Sequence, residues 1–258
     1  MVPTPSHAMA NRTAFLTGHL GKVRYLPPRP LTVHAYFVID ELGTPDWLEE
    51  VLRAHGWRVL RLPGRSDHDA VNLTMRSKLA KIPQERWPLL AGYDFVVWFD
   101  DKFRVSTATA LQAIARWPPN AAVALHRHPR RCVDSFPDCS VLEELRASVE
   151  QQHRYRRQAR RMQAYVEQQE LAGLRVAGHP LYQAGFIVYN LRHPETSRFQ
   201  SLWMEHIHSA GINDQVSLFF VAQHFARHIL EFAAEWGRQL WSGRELAVAP
   251  GESIALLG

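Results

Sequence analysis

The stretch Tyr93 to Phe99 (YDFVVWF) is almost continuously apolar and runs straight into Asp100-Asp101-Lys102. A strand with that pattern is covered on both faces, and such strands belong to parallel sheets packed between helices. In open sheets of that kind ligands bind beyond the carboxyl ends of the strands, so a pair of acids there constrains function as well as fold. Two carboxylates after a buried strand need water, a cation or a hydrogen-bond donor beside them. A divalent cation is the economical partner. Magnesium and manganese prefer carboxylate oxygen, keep positions open for substrate phosphates and neutralise charge on a departing diphosphate. In extended chain Asp100 and Lys102 share one side and Asp101 faces the other, which suits one carboxylate on metal and one cation on phosphate. The same acids also fit a plain turn in which they bond to backbone amides.

The flanking sequence repeats the alternation of strand and helix. Leu31 to Ile39 reads as a buried strand, and a helix carrying Trp47, Leu48, Val51 and Leu52 ends at Gly56. Trp57 to Leu62 is a second strand, and strand, helix, strand implies a parallel pair with a right-handed crossover. Asn72 to Ile82 is an amphipathic helix stopped by Pro83, and Thr107 to Trp117 is another helix before a strand at Ala121 to Leu125. Val141 to Leu171 reads as one long polar helix, followed by a strand at Gly185 to Leu191. Phe199, Leu202, Trp203, His206 and Ile207 mark one helix face, and Asn213-Asp214 caps a helix running through Phe219, Phe220 and Gln223. The expected class is α/β, a mostly parallel central sheet flanked by helices with a smaller second half.

With 258 residues, 46% hydrophobic and 21% charged, disorder and a disulfide-stapled mini-protein are excluded. One domain is expected over residues 31–235, with an N-terminal extension at 1–30 and a tail at 236–258. Cys132 and Cys139 have neither the number nor the spacing of a zinc site, and so sparse a pair suits a reducing compartment, which makes the cytoplasm the expected location. No segment approaches the roughly 20 apolar residues that span a bilayer, so any membrane association is expected to be peripheral. All but four of the 30 basic residues are Arg, and the net charge of +5 favours an anionic partner without naming one.

Several side chains are candidates for that partner. Asn72, Arg76, Lys78 and Lys81 lie just ahead of the acidic strand and read either as a clamp on a nucleotide diphosphate, with Asn72 or Arg76 the first choices, or as a solvated helix face. His126 and His128 follow the strand ending at Leu125, at another carboxyl edge. His206 and His208 are two positions apart on a helix, diverge by about 200° and are discarded as a metal pair. Asp214-Gln215 either favours a helix macrodipole or presents a carboxylate that binds an acceptor hydroxyl or removes its proton. The arginines from Arg154 to Arg161 read as a solvated face or as a surface for an anionic polymer. Dinucleotide-binding glycine motif, Walker loop, serine-hydrolase elbow and H-E-x-x-H are all missing, which removes the main support for those enzyme classes.

Taken in order, Arg76-x-Lys78 before a Pro, the strand with Trp98 ending in Asp100-x-Lys102, His128-Pro129 with Arg131 and Cys132, Arg192-His193, the helix with Trp203, Glu205 and Ile207, and Asn213-Asp214-Gln215 resemble one family. It is the glycosyltransferase-like family long catalogued as a domain of unknown function, with bacterial members and plant members linked to cell-wall polysaccharide. The resemblance spans about Asn72 to Phe225. Two positions depart from it: Asp134 is the nearest candidate for the acid after the Cys, and Asn213 stands where an Arg is usual. The resemblance implies a GT-A-like fold with a nucleotide-sugar half over 31–128 and an acceptor half over 129–235. It implies a UDP- or GDP-sugar donor, a glycan or lipid-linked acceptor, a manganese or magnesium ion, and no nucleic acid. Asp100 and Asp101 would hold the metal, Lys102 a phosphate and Asp214 the acceptor hydroxyl or the reacting sugar. A histidine completing the metal shell would be His224 or His228.

The expected activity is therefore sugar transfer from a nucleotide diphosphate to a glycan or lipid-linked acceptor. One rival is a metal-dependent phosphodiesterase or nuclease that uses the same two aspartates with a water. The other is a non-catalytic module binding an anionic polymer through the arginine-rich helix.

Overall fold

Side chains alternate in direction along the central strands, which are buried on both faces, and divide the core into two layers. In this computed structural model the described residues are 7–20, 26–42, 44–65, 69–82, 88–101, 105–128 and 140–231. The strands are β1 (Thr13–Gly18), β2 (His34–Leu42), β3 (Arg58–Arg65), β4 (Phe95–Phe99), β5 (Val123–Arg127), β6 (Tyr182–Asn190) and β7 (Ile229–Glu231). They form one sheet in the order β3-β2-β1-β4-β6-β5-β7. β3, β2, β1 and β4 run parallel, β6 is antiparallel to both neighbours, and β7 is parallel to β5. The expected α/β class, a mostly parallel sheet flanked by helices, is what the structure has.

The helices are α1 (His7–Asn11), α2 (Asp46–Ala54), α3 (Ala70–Lys81), α4 (Thr107–Ala115), α5 (Val141–Gln151), α6 (His153–Arg156), α7 (Ala159–Leu171), α8 (Pro194–Ala210) and α9 (Asp214–His224). Phe15, Phe37, Ile39, Val97 and Phe99 point to the layer under α2 and α4. Leu16, Val38, Val96 and Trp98 point the other way, toward α8 and α9. This period of two is what a strand buried on both faces must show. Phe219 and Phe220 belong to a further cluster with Val141 of α5 and with Tyr165 and Val166 of α7. Thus α9 is covered on the sheet side and on the outside, which accounts for its apolar sequence all round.

Two expectations are corrected. Residues 1–30 were expected as an extension, yet Thr13–Gly18 pairs with both β2 and β4 near the middle of the sheet. With six residues, two of them Thr and one Gly, its apolar signal is too short to stand out from the prolines around it. The long helix over Val141 to Leu171 is three helices, broken at Gln152 in extended backbone (φ −134, ψ 120) and again at Gln158.

The order of the strands positions the site. From β1 the chain steps outward through β2 and β3, then crosses back to β4 on the opposite side of β1. The two crossovers leave the sheet in opposite directions, so a crevice opens past the carboxyl ends of β1 and β4.

Candidate active site

That crevice is a cleft of about 640 Å³. β1 contributes Gly18 and His19 at its end, and β4 contributes Trp98, Asp100 and Asp101. Gly185 of β6 forms the edge beside them, where its carbonyl accepts from the Asp100 amide at 2.8 Å. The register of β6 against β5 shifts there, so that Ala184 and Ile187, even and odd in number, both face the same core layer.

One wall is a face of α3. At 100° per residue, Ala70, Leu73, Thr74, Ser77, Lys78 and Lys81 fall on one side of the helix, and all of them line the cleft. Asn72 and Arg76 fall on the opposite side. The expected first choices for the phosphate are therefore turned away. Asn72 is exposed, and Arg76 donates to Asp40 at 2.9 Å and to the Pro63 carbonyl at 3.1 Å, bracing the ends of β2 and β3.

The polar centre of the cleft is buried. Lys81 Nζ lies 2.7 Å from Asp214 Oδ2 and 3.4 Å from Asp100 Oδ1, and Lys78 Nζ reaches the same Asp214 oxygen at 2.9 Å. Lys78, Lys81 and Asp214 are each only 5% exposed. Burial opposes the charge on Lys81, but Asp100 and Asp214 outweigh it and hold the ammonium well above its usual range. Lys78 has one acid and a neighbouring ammonium, so burial prevails and brings it down to about 8. For Asp214, burial works against ionisation, yet the two lysines outweigh it and keep the carboxyl well below the carboxylate range. A carboxylate held in that way is a weak base. It serves to fix the two lysines.

The start of α9 sets that geometry. Asn213 Oδ1 accepts from the amides of Gln215 and Val216, and its Nδ2 donates to Ser148 Oγ at 2.9 Å. Trp203 Nε1 donates to the Asp214 carbonyl at 3.3 Å and to Ser217 Oγ at 3.1 Å. Gln215, beside Asp214, lines the cleft, and its buried Nε2 has no hydrogen-bond partner among the described residues.

The acidic pair departs from strict alternation. β4 ends at Phe99 and the chain turns, so both carboxylates enter the cleft. Asp100 Oδ1 accepts from Trp98 Nε1 at 3.1 Å, and Asp101 Oδ2 lies 2.5 Å from His19 Nδ1. His19, from the segment expected as an extension, has no sequence motif that marks it.

The remaining expectations are met elsewhere or lie outside the described residues. His128 is buried and its amide donates to the Leu181 carbonyl at 2.8 Å, away from the cleft lining. His224 sits at the far end of α9 against His206, ring centroids 6.4 Å apart, about 15 Å along the helix from Asp214. His228 packs on His193 at 5.4 Å. Neither His224 nor His228 reaches the acids. Lys102 and the segment Pro129 to Cys139 lie outside the described residues.

Sequence reasoning placed the arginines after α5 on a solvated face, and the structure divides them. Arg156 donates to carbonyls at the end of α5, and Arg161 donates to those of His208 and Ser209 at the end of α8. Arg157 binds Asp69 at 2.6 Å. Arg154, with Gln152 and Tyr155, lines the cleft because the break at Gln152 turns α6 toward α3.

Asp100 and Asp101 fit a hard divalent cation that keeps much of its shell for water and phosphate oxygen. They do not make a closed protein cage, since among the described residues no cluster of three or more His, Cys, Asp or Glu side chains could hold a metal ion. No described helix is long and apolar enough to cross a membrane.

No family model matches the chain, and no curated protein matches its sequence. Among solved structures, mouse xyloside xylosyltransferase 1 is similar with a TM-score of 0.45 and 10% identity, covering 89% of each chain. A glycosyltransferase involved in glycosylating the major capsid of PBCV-1 is similar with a TM-score of 0.41 and 11% identity over 85% of this chain and 80% of the other. A mannosyltransferase from Pyrobaculum calidifontis, solved with GDP-mannose and Mn2+, gives 0.42 and 9% over 90% and 58%.

Proposed function

We propose that the protein is a glycosyltransferase that moves a sugar from a nucleoside diphosphate, UDP or GDP, to a glycan or lipid-linked acceptor. The observation that carries this reading is the meeting, at the crevice between β1 and β4, of two adjacent carboxylates with a buried lysine that bridges Asp100 to Asp214 at the start of α9. Asp100 and Asp101 would hold a manganese or magnesium ion, which would supply charge neutralisation to the diphosphate. Lys81, kept protonated by its two acids, adds a fixed positive charge beside the leaving group without reorganising during the reaction. The bond from the anomeric carbon to the diphosphate oxygen breaks, a bond to the acceptor hydroxyl oxygen forms, and the hydroxyl proton leaves with the diphosphate or with water. Gln215 Nε2 donates to the sugar or to the acceptor oxygen and orients the two reactants. The buried centre and the walls of α3 and α6 exclude water from the transfer.

The anionic-polymer-binding module is the weaker reading. Arg156, Arg157 and Arg161, three of the five arginines of this stretch, are engaged by backbone carbonyls and by Asp69.

A thermal-shift panel of UDP, GDP, CMP and UDP-sugars, with and without manganese, tests the reading on wild type and on Asp100→Asn. At 100 times its dissociation constant a nucleotide adds about 2.7 kcal/mol, a rise of about 5 to 10 °C for a chain this long. One diphosphate is expected to give that rise only with manganese and to lose it in the variant. A wild type that no nucleotide stabilises contradicts the proposal.

A further inference from the structure

The cleft has two ends. At one, His19, Asp100 and Asp101 sit on the strand edges, and at the other, Gln152, Arg154, Leu73 and Ala70 lie beyond the polar centre. Arg154 Nη1 donates to Thr74 Oγ1 at 3.0 Å and Nε donates to Gln152 Oε1 at 2.9 Å, while the guanidinium lies 5.0 Å from the ring centre of Tyr155. Thr74 in turn donates to the Ala70 carbonyl at 2.6 Å, so its oxygen is a fixed seat. The guanidinium is thus held in place by neutral partners. No acid lies within ion-pair distance of it among the described residues, and its Nη2 has no described hydrogen-bond partner. Lys78 and Lys81, in contrast, are each matched by Asp214 or Asp100.

Thr74 and Lys81 are seven residues apart on α3, about 10 Å along its axis. A diphosphate held at Asp100 and Asp101 does not span two helical turns, and the reacting atoms lie between, at Lys81, Asp214 and Gln215. Arg154, held at Thr74, therefore stands about two helical turns along α3 from Lys81, which contacts Asp100. An oriented guanidinium whose Nη2 is unengaged is suited to a carboxylate or phosphate.

We infer that Arg154 selects an acceptor carrying an anionic group, a sugar carboxylate or a sugar phosphate, at the α6 end of the cleft. The inference rests on the proposed glycosyl transfer for the word acceptor, and on the geometry alone for the anion.

The test is calorimetric titration of wild type, Arg154→Gln and Arg154→Lys with glucose, glucuronate and glucose 1-phosphate, with and without UDP or GDP and manganese at saturation. Wild type is expected to bind one of the two anionic sugars at least tenfold more tightly than glucose in the presence of nucleotide and manganese. Arg154→Gln removes the preference, and Arg154→Lys keeps only part of it because the fork is lost. Nucleotide affinity stays unchanged in both variants, and both still unfold in one cooperative melt. Equal binding of charged and neutral sugars by wild type overturns the inference, as does a preference that survives Arg154→Gln. Loss of nucleotide affinity in Arg154→Gln also overturns it, by placing the guanidinium on the donor. A wild type that binds no nucleotide but still discriminates anionic sugars through Arg154 sinks the glycosyltransferase reading and leaves the anion site standing.

Discussion

Lys81 holds the centre of the cleft through contacts to two acids, and its side chain is only 6% exposed. Removing one partner of such a group leaves the others uncompensated, at a cost of about 3 to 5 kcal/mol. Lys81→Met is expected to lower the melting temperature by about 10 °C, measured by calorimetry. Asp214 gives a pH signature. Its folded carboxyl lies below the ordinary value of 3.8, so the unfolded chain binds the proton first as the pH falls. The stability it contributes is therefore complete above that value and is drawn down in more acidic solution. Urea unfolding between pH 3 and 7 should show Asp214→Asn less stable at neutral pH with a shallower loss toward acid. Gln215 is the other sensitive residue: Gln215→Ala should reduce turnover about 100-fold, the scale for losing one donor to a developing charge, while leaving the manganese-dependent nucleotide shift intact. Sequence alone marked Asp100, Asp101, Asp214 and Gln215 because each sits at a strand end or a helix start. It misjudged Arg76 against Lys81 because charge on an amphipathic helix carries no label for the side that meets a cleft, which only the packing of α3 decides.

At the scale of elements, the turn from α8 into α9 fixes where Asp214 and Gln215 stand. Gly211 has φ +97, and a Cβ there would come 2.3 Å from Gln158 Oε1, which accepts from the Ile212 amide. Asn213, 1% exposed, caps α9 and ties it to Ser148 of α5. Asn213→Ala is expected to cost about 2 kcal/mol, one part for the cap and one for the buried partner left unmatched, a drop of about 4 to 8 °C in melting temperature. Gln215→Ala lacks that loss, which separates a positioning defect from a chemical one. The cap was legible in the sequence, since Asn-Asp before an apolar run is a helix start. The break at Gln152 was not. A glutamine carries no stop signal, and α6 turns toward α3 because Arg154 and Tyr155 find partners there that a continuous helix would deny them.

At the scale of the molecule, the sheet depends on β1. It pairs with β2 on one side and β4 on the other, and Phe15 and Leu16 are fully buried in opposite layers. Deleting residues 1–30, harmless if they were an extension, is expected to abolish cooperative unfolding in a thermal melt, whereas folding of the truncated chain would contradict the topology. The class of the fold was legible because β2, β4, β5 and β6 are long apolar runs with clear boundaries. The switch point was not, since a short strand early in the chain decides on which side of it β4 returns. That switch point brings Asp101 against His19 and places both acids in the cleft. The most direct measurement is the nucleotide released when UDP- and GDP-sugars are incubated with the protein and manganese, resolved by chromatography. Glycosyl transfer predicts UDP or GDP as the product, lost in Asp101→Asn. UMP or GMP with a sugar phosphate would instead show cleavage within the diphosphate and contradict it.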